Sequence, residues 1–458
     1  MMTNRNNSNH KHFRIACRLI GMAVLLQGCL CSSRAQTALD IARQMVPGWN
    51  LGNTLEAGPC PLISNDVNWE TGWQSVKTTQ QIIDYVARQG FRSVRIPCAW
   101  DIHADASHTI HAAWMERVKE VVDYCINAGL YVVLNDHWDN GWVETSFGDV
   151  SEPTVSRNCE TMRKLWTQIA TAFADYDNHL LFAGLNEPQA REAQQVAALK
   201  RYEQAFVQAV RQSGGHNASR FLVLQAPCTD IDLSDQYDVT EECRAAGDNR
   251  IMLEIHFYAP FAFTHCRFGG DFAEDSAQPG QWNWPAYYWG SANHVEGSQH
   301  NPVYGEETFI NQQMRKLRKR YCNQGIPVIM GEFGALWRTM PTGESQQQHD
   351  ASVYDWYYTV CRYAVRNGVV PMAWDTNNVS RPTMAIIDRA RRSVFSTLAL
   401  NGIIQGVADA TWPISSSIPS IEAVPASPCH PAVNLSVLAV GKDYHGVVIE
   451  NGRKHFRH

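Results

Sequence analysis

Short apolar runs alternate with longer amphipathic segments from about residue 45 onward. Continuous apolar runs of this length predict buried strands, and the segments between them show the spacing of helices with one apolar face. The predicted strands cover residues 46–51, 93–96, 131–134, 181–185, 221–224, 251–255, 327–330 and 369–373. The predicted helices between them cover residues 80–88, 114–128, 192–213, 308–322 and 351–367.

Eight strands separated by helices favour one closed architecture. Repeated right-handed strand–helix–strand units close into a (β/α)8 TIM barrel of roughly 250 residues plus loop insertions. A doubly wound open sheet is the alternative, but the first strand is not followed by a Gly-rich phosphate loop. The predicted fold class is therefore α/β, with a catalytic barrel over residues 37–410.

The two ends of the chain have a different character. Basic residues precede the apolar run 19–26, which is too short to span a bilayer and predicts a signal peptide over residues 1–35. The segment before Cys29 resembles a lipoprotein box and would place a lipid anchor there, whereas residues 33–35 fit ordinary cleavage. Both alternatives predict a secreted or cell-surface protein.

Residues 411–458 predict a linker and a short C-terminal tail. The first part, 411–431, is rich in Ser, Pro and Ile, which is typical of a linker. The remainder contains the apolar run 446–449 and predicts two short strands. The role of this tail is not predicted.

Charge and cysteines exclude some classes of protein. With 458 residues and a net charge of −6, the chain has a large core but no basic face for a phosphate backbone, which excludes a nucleic-acid partner. The cysteines beyond residue 35 form no CxxC pair. Export permits disulfides, of which Cys228/Cys243 and Cys322/Cys361 are two possibilities, and buried free thiols are the alternative.

Two glutamates follow apolar strands in positions that suit catalysis. Glu187 comes after the predicted fourth strand and Glu332 after the seventh. Hydrolysis of a glycosidic bond needs two carboxyl groups, and a separation of roughly 5 Å gives the retaining reaction. Burial at a barrel mouth is expected to raise a carboxyl pKa, as a general acid requires. An isolated strand-end glutamate is usually only solvated or ion-paired.

Seven motifs in order resemble glycoside hydrolase family five. They are Gly48-Trp-Asn-Leu-Gly-Asn-Thr-Leu-Glu56, Val94-Arg-Ile-Pro97, Leu134-Asn-Asp-His-Trp138, Asn186-Glu-Pro188, Ile255-His-Phe-Tyr258, Gly331-Glu-Phe-Gly334 and the strand end at Trp374. The resemblance runs from about residue 48 to residue 406. It implies an endo-acting retaining β-glycosidase of the cellulase type, which needs no metal or other cofactor.

The resemblance also implies a role for each matching residue. Glu332 would be the nucleophile, held by Arg95 and Tyr258, and Glu187 would be the acid/base. The remaining matches would bind substrate: Asn186 at the 2-hydroxyl, His137 and His256 beside the cleaved sugar, Trp374 as its floor, and Asn53 and Glu56 at the next sugar. The alternatives are structural histidines, a buried Trp374, and Asn53 and Glu56 as caps of the first turn.

Two departures bear on the substrate. Trp138 stands where the family often has a second histidine, and the following residues resemble the subgroup with broad β-glucan and xyloglucan activity. After the eighth strand, residues 375–378 depart from the usual Asn-Gly ending. The predicted substrates are β-1,4-glucan first, then xyloglucan and mixed-linkage glucan, then β-mannan, and the protein is expected to be a monomer.

Three further alternatives remain open at this point. A metal-dependent hydrolase would use Asp136, His137, Asp139 and His256, and a non-catalytic glycan-binding protein would have a degenerate barrel. The loop before the seventh strand is rich in aromatic residues, which predict either a wall of the substrate cleft or a self-packed cluster. These residues are Trp282, Trp284, Tyr287, Tyr288 and Trp289.

Overall fold

The computed structural model describes residues 36–58, 66–265 and 285–413, together with the backbone of three short strands between residues 433 and 457. The predicted signal peptide with Cys29, the aromatic residues Trp282 and Trp284, and most of the predicted linker lie outside the described residues.

Eight parallel strands close into a barrel in the order of the sequence. Each strand pairs with the next, and the first pairs with the eighth. This confirms the (β/α)8 TIM barrel and rules out the open sheet. The strands are β1 Gly48–Asn50, β2 Ser93–Ile96, β3 Tyr131–Asn135, β4 Leu180–Ala183, β5 Leu222–Gln225, β6 Ile251–Phe257, β7 Val328–Phe333 and β8 Val369–Ala373.

Helices surround the barrel and follow its strands. They are α1 Ala38–Gln44, α2 Gln80–Arg88, α3 Ala112–Asn127, α4 Glu152–Ala172, α5 Ala193–Gln212, α6 Ile231–Gln236, α7 Glu241–Ala245, α8 Phe261–Thr264, α9 Glu307–Arg320, α10 Gln346–Arg366 and α11 Thr397–Ala408. Strands β9 (Ile387–Asp388) and β10 (Ser393–Val394) form a small antiparallel pair. Among the described residues, no helix is long and apolar enough to cross a bilayer.

The chain divides into two compact units after Pro413. In the second unit, strands β11 (Val433–Asn434), β12 (Gly446–Glu450) and β13 (Arg453–Arg457) form an antiparallel sheet of their own.

The barrel interior changes from apolar to polar along each strand. Alternate residues of a strand point inward. The inward-pointing residues are Met252, Glu254 and His256 on β6, and Tyr131, Val133 and Asn135 on β3. The apolar members belong to one buried cluster, which residues of α1 extend at the amino ends of the strands. The polar members therefore gather at the carboxyl ends, where barrel enzymes carry their active sites.

The cysteines considered for disulfides are free thiols. Cys228, Cys243, Cys322 and Cys361 are unbonded, and burial raises the pKa of each thiol. Neither of the two considered pairings is formed, so the hydrophobic core, rather than these disulfides, holds the barrel together.

Candidate active site

Glu332 lies on β7 at the mouth of the barrel, held by two donors. Arg95 Nη1 is 3.0 Å from Glu332 Oε1, and the Tyr258 hydroxyl donates to Glu332 Oε2 over 2.9 Å. The pairing of β6 with β7 shifts at this point and places His256 opposite Glu332. Both predicted supporting residues of Glu332 are therefore in hydrogen-bond contact with it. Such contacts fix the orientation of the carboxylate.

Arg95 is fully buried and connects the residues of the site. Its Nε lies 2.8 Å from Glu254 Oε1, and its Nη2 donates to Asn186 Oδ1 over 2.8 Å. Because the Asn186 oxygen faces Arg95, the amide nitrogen of the same side chain is the donor that a sugar hydroxyl would meet. A buried guanidinium with carboxylate partners on two sides fixes several strand ends relative to one another.

Glu254 is a site residue that the sequence analysis missed. It is fully buried on β6 and accepts a hydrogen bond from Gln225 Nε2 over 2.7 Å, in addition to its contact with Arg95. A Cβ at Gly331 would come within 1.8 Å of Glu254 Oε1, so only glycine fits opposite this carboxylate. The signal was present in the sequence, since Glu254 has the same strand parity as His256 and lies one step deeper.

Glu187 follows β4 and lies beside the imidazole of His256. The distance from His256 Nδ1 to Glu187 Oε1 is 2.6 Å, and the Glu187 side chain is 40% exposed, which leaves it open to substrate. Burial raises the pKa of Glu187. The hydrogen bond from His256 and the positive charges of His256 and Arg95 outweigh that effect and hold the pKa below its ordinary value. The expectation of a raised pKa for this carboxyl in the free protein is therefore wrong.

His256 carries the proton of this pair. Burial lowers its pKa, but the charge of Glu332 and the hydrogen bonds to Glu187 and Glu254 raise it to about 10. Its Nε2 is 3.3 Å from Glu254 Oε1. The imidazolium therefore stands between carboxylates above and below it in the barrel.

The two predicted catalytic carboxyl groups lie close together. One carboxylate oxygen of Glu187, one of Glu332 and one ring nitrogen of His256 all lie within 4.8 Å of one another. Inverting glycosidases hold their carboxyl groups roughly 6.5–9.5 Å apart, and retaining ones about 5 Å apart. The spacing between these oxygens matches the retaining geometry.

His137 and Trp374 form one wall of the site. Their rings are stacked, with centroids 5.8 Å apart, and Trp374 is partly exposed while His137 is mostly buried. Burial, together with the charges of Arg95 and His256, lowers the pKa of His137 well below its ordinary value, so this imidazole is neutral. A partly exposed indole at a strand end suits the predicted role of a sugar floor.

Trp138 lies on a loop with an unusual backbone. Trp138, Asp139, Asn140 and Gly141 all have positive φ angles, of 55°, 45°, 59° and 72°. Non-glycine residues in this region cost energy and concentrate at functional sites. Both carboxylate oxygens of Asp139 accept backbone N–H groups, from Asp101 and Ile102, which anchors the turn. The turn leaves the Trp138 side chain 45% exposed, as a substrate contact requires.

Glu56 does not contact the next sugar as predicted. It is buried, and its carboxylate accepts the backbone N–H groups of Asn53 and Thr54. Burial raises the pKa of Glu56 to about 7. The alternative role, a cap of the first turn, is therefore the one in the structure. Asn53 stays partly exposed in that turn, with a φ of 57°.

The ligand set considered for a metal-dependent hydrolase does not come together. Among the described residues, the group of three acidic or histidine side chains whose polar atoms all lie within 4.8 Å of one another is Glu187, His256 and Glu332. Asp139 is instead occupied by backbone donors, and Asp136 accepts from Trp142 Nε1 over 3.2 Å. The close trio is also the carboxyl–imidazolium arrangement described above, in which each member has a partner without an ion.

The aromatic loop before β7 is self-packed over its described part. Tyr287, Tyr288 and Trp289 are buried, Tyr287 stacks on His300, and Trp289 Nε1 donates to the Gly305 carbonyl. A cleft wall would need exposed faces, so for these three residues the packing alternative is correct. Trp282 and Trp284 lie outside the described residues.

A barrel that presents two close carboxylates at strand ends four and seven defines a glycoside hydrolase. The chain belongs to glycosyl hydrolase family 5, because the family model described as cellulase (glycosyl hydrolase family 5) matches residues 59–380.

Relatives and solved structures agree with this family. A xyloglucan-specific endo-β-1,4-glucanase of Bacteroides ovatus is 31% identical over 82% of this chain and 71% of its own length. Endoglucanase A of Paenibacillus barcinonensis is 30% identical over 82% and 91%. The crystal structure of a xyloglucan-specific β-1,4-glucanase from a ruminal metagenomic library, in complex with XXLG, is 45% identical. It covers 82% of this chain and 98% of its own, with a TM-score of 0.73.

Proposed function

We propose that this glycoside hydrolase is an endo-acting retaining enzyme that cleaves the β-1,4-glucan backbone of plant polysaccharides, with xyloglucan as its preferred substrate. The observation that carries the proposal is the approach of Glu187 and Glu332 within 4.8 Å, since this spacing suits double displacement. The substrate is supported by the two xyloglucan-specific relatives, of which one is 45% identical.

In the first step, Glu332 attacks the anomeric carbon. Arg95 and Tyr258 hold its oxygens in position until the bond forms, and a covalent glycosyl-enzyme results. Glu187 gives a proton to the departing glycosidic oxygen in the same step. The Asn186 amide binds the 2-hydroxyl, a contact that strengthens as the ring gains oxocarbenium character.

In the second step, water cleaves the glycosyl-enzyme. Glu187, now ionised, takes a proton from the water, which attacks the anomeric carbon on the face that the leaving group has vacated. The product keeps the β configuration and Glu332 is released. Trp374 and the neutral His137 hold the sugar through both steps by stacking and by hydrogen bonding.

We further propose that His256 supplies the proton that Glu187 donates. In the free enzyme the proton lies on the imidazole, 2.6 Å from Glu187 Oε1. As negative charge grows on the glycosidic oxygen, the proton moves from Nδ1 to the carboxyl and onward, and the proton that Glu187 takes from the water in the second step returns to Nδ1. The pair therefore acts as one acid, although the pKa of Glu187 itself is low.

We propose that the enzyme acts outside the cytoplasm. The support is the basic segment followed by the apolar run 19–26 and two processing patterns, one ending at Cys29 and one at residue 35. The N-terminal mass of the protein from medium and membrane fractions distinguishes a lipid on Cys29 from cleavage after residue 35. An unprocessed chain confined to the cytoplasm would contradict export.

The function is tested by release of reducing ends from xyloglucan, carboxymethylcellulose, mixed-linkage glucan and mannan. The purified wild-type protein is expected to be most active on xyloglucan, and Glu332→Ala is expected to be inactive on all four. Azide should restore part of the activity of Glu332→Ala and give a glycosyl azide of inverted configuration, because it replaces the missing nucleophile.

The same assay separates the alternatives. Preference for carboxymethylcellulose over xyloglucan would keep the mechanism and overturn the substrate. Binding of xyloglucan by folded wild-type protein without release of reducing ends would support a non-catalytic surface protein. A wild-type rate that survives Glu332→Ala would overturn the proposed nucleophile.

A further inference from the structure

A third carboxyl group lies beside the acid/base. Glu144, in the loop between β3 and α4, is only 3% exposed. Its Oε1 accepts the backbone N–H of Glu187 over 2.8 Å, and its own carbonyl accepts the backbone N–H of Gln189 over 3.3 Å. One residue thus holds the backbone at and just beyond the acid/base through two hydrogen bonds.

The same side chain reaches the strained turn of Trp138. The backbone N–H groups of Trp138 and Glu187 both partly offset the rise in the pKa of this carboxyl group. These two N–H groups belong to different loops, one after β3 and one after β4. The direct hydrogen bond is the one from Glu187 N–H, so Glu144 holds the acid/base loop.

The position of Glu187 depends on such a connection. Glu187 lies beyond the end of β4, so the β-sheet ladder does not hold its backbone, and the next residue, Pro188, has no N–H. Its side chain is held by His256 on one side and is otherwise 40% exposed. Displacement of a catalytic group by about 1 Å can cost roughly 10²-fold in rate.

A carboxylate is a costly choice for a purely structural role at this point. Burial raises the pKa of Glu144 to about 7, and the charges of Glu187 and Glu332 add to that effect. A buried carboxyl close to two others is tolerated where its hydrogen bonds compensate for the burial. The hydrogen bond that compensates in this case is the one from the backbone N–H of Glu187.

We propose that Glu144 is a positioning residue for the acid/base step, which holds the backbone of the Glu187 loop through two hydrogen bonds. The inference rests on the proposed role of Glu187 as acid/base. Glu144 does not touch the reacting atoms and acts through Glu187. Loss of Glu144 should therefore slow the transfer of the proton more than the attack by Glu332.

The test compares two substrates that differ in their need for an acid. Xyloglucan requires protonation of the leaving oxygen, whereas 2,4-dinitrophenyl β-cellobioside has a leaving group that departs without it. Glu144→Ala is expected to lower kcat/KM on xyloglucan by roughly 10- to 100-fold and to change it little on the aryl substrate. Glu144→Gln keeps an oxygen that accepts the N–H of Glu187 and should restore most of the xyloglucan activity.

Controls separate this effect from loss of stability. The Glu70 carboxylate is equally buried but pairs with Arg117. Glu70→Ala should therefore lower kcat/KM on both substrates alike if it lowers activity at all. If Glu144→Ala does not fold, Glu144→Asp shortens the side chain and should show the same split between substrates. The inference would be overturned if Glu144→Ala lost kcat/KM equally on both substrates or lost none. It would also be overturned if Glu144→Gln were no more active than Glu144→Ala.

The proposed function is checked in the same series. Glu187→Ala should reproduce the split more strongly, and Glu332→Ala should abolish both reactions. If Glu332→Ala retains activity, the proposed function fails whatever Glu144 does. If the two glutamate variants behave as expected and Glu144→Ala shows no split, only the positioning role fails.

Discussion

His256 Nδ1 lies 2.6 Å from Glu187 Oε1, while its Nε2 faces the buried carboxylate of Glu254. Because the carboxylates of Glu187 and Glu254 surround the imidazole of His256, the imidazole stays protonated at neutral pH. The proposed acid of this site is therefore a coupled pair instead of a single glutamate with a raised pKa.

A pH profile tests the coupled acid. The pKa of His256 is raised to about 10, so the pair keeps its proton at neutral pH and loses it as the pH rises through that value. In His256→Asn, Glu187 must carry the proton alone, at a pKa far below 10. The alkaline limb of kcat/KM, which reports the free enzyme, should move to lower pH by more than about one unit.

His137→Asn is the matched control for this shift. The imidazole of His137 is neutral because burial and neighbouring positive charges lower its pKa. Its replacement is expected to lower activity without moving the alkaline limb. An unmoved limb in His256→Asn would mean that His256 is not the source of the proton.

The leaving-group dependence tests Glu187 directly. Glu187→Ala should lower kcat/KM on xyloglucan by roughly 10²- to 10⁴-fold, the usual contribution of a general acid. The loss on 2,4-dinitrophenyl β-cellobioside should be much smaller, because dinitrophenolate leaves without a proton. Steady-state rates on both substrates give the ratio, and an equal loss on each would assign the acid to another residue.

The barrel and the approach of Glu187 to Glu332 were predictable because their signals are local. Each of the eight strands is a short apolar run, and the motifs around Glu187 and Glu332 stand at strand ends, where the topology brings them together. Helix α2 was predicted with its observed bounds, Gln80–Arg88. Helix α4, Glu152–Ala172, was not predicted, since its buried face includes Thr154, Asn158 and Thr161, which interrupt the apolar periodicity.

Contacts between distant loops were not predictable from the same signals. The motif around Glu56 predicted a contact with substrate. The local turn instead brings its carboxylate to the backbone N–H groups of Asn53 and Thr54. Glu144 was not predicted because its partner Glu187 is remote along the chain. The net lowering of the pKa of Glu187 likewise depends on the position of His256, which only the fold determines.

The packing of Gly331 against Glu254 predicts a stability effect. Gly331→Ala would place a Cβ within 1.8 Å of Glu254 Oε1 and push the carboxylate away from Arg95. Disruption of a buried ion pair destabilises a protein by about 3–5 kcal/mol. Denaturant unfolding should show a loss of this order. Gly148→Ala is the control, because a Cβ there meets nothing within 4 Å, and it should change stability by less than about 0.5 kcal/mol.

The exposed face of Trp138 predicts an effect on polysaccharide binding. A side chain that is 45% exposed on a turn with positive φ angles can stack on a sugar ring. Aromatic stacking contributes about 0.5–1.5 kcal/mol, so Trp138→Ala should raise KM for xyloglucan by roughly 2- to 10-fold. The value of kcat should change little, as expected when binding to ground state and transition state is lost equally. Trp138→Phe keeps an aromatic face, so its KM should lie between those of the wild type and Trp138→Ala. A fall in kcat at unchanged KM would instead indicate that the turn serves to hold Glu144 and Glu187 in place.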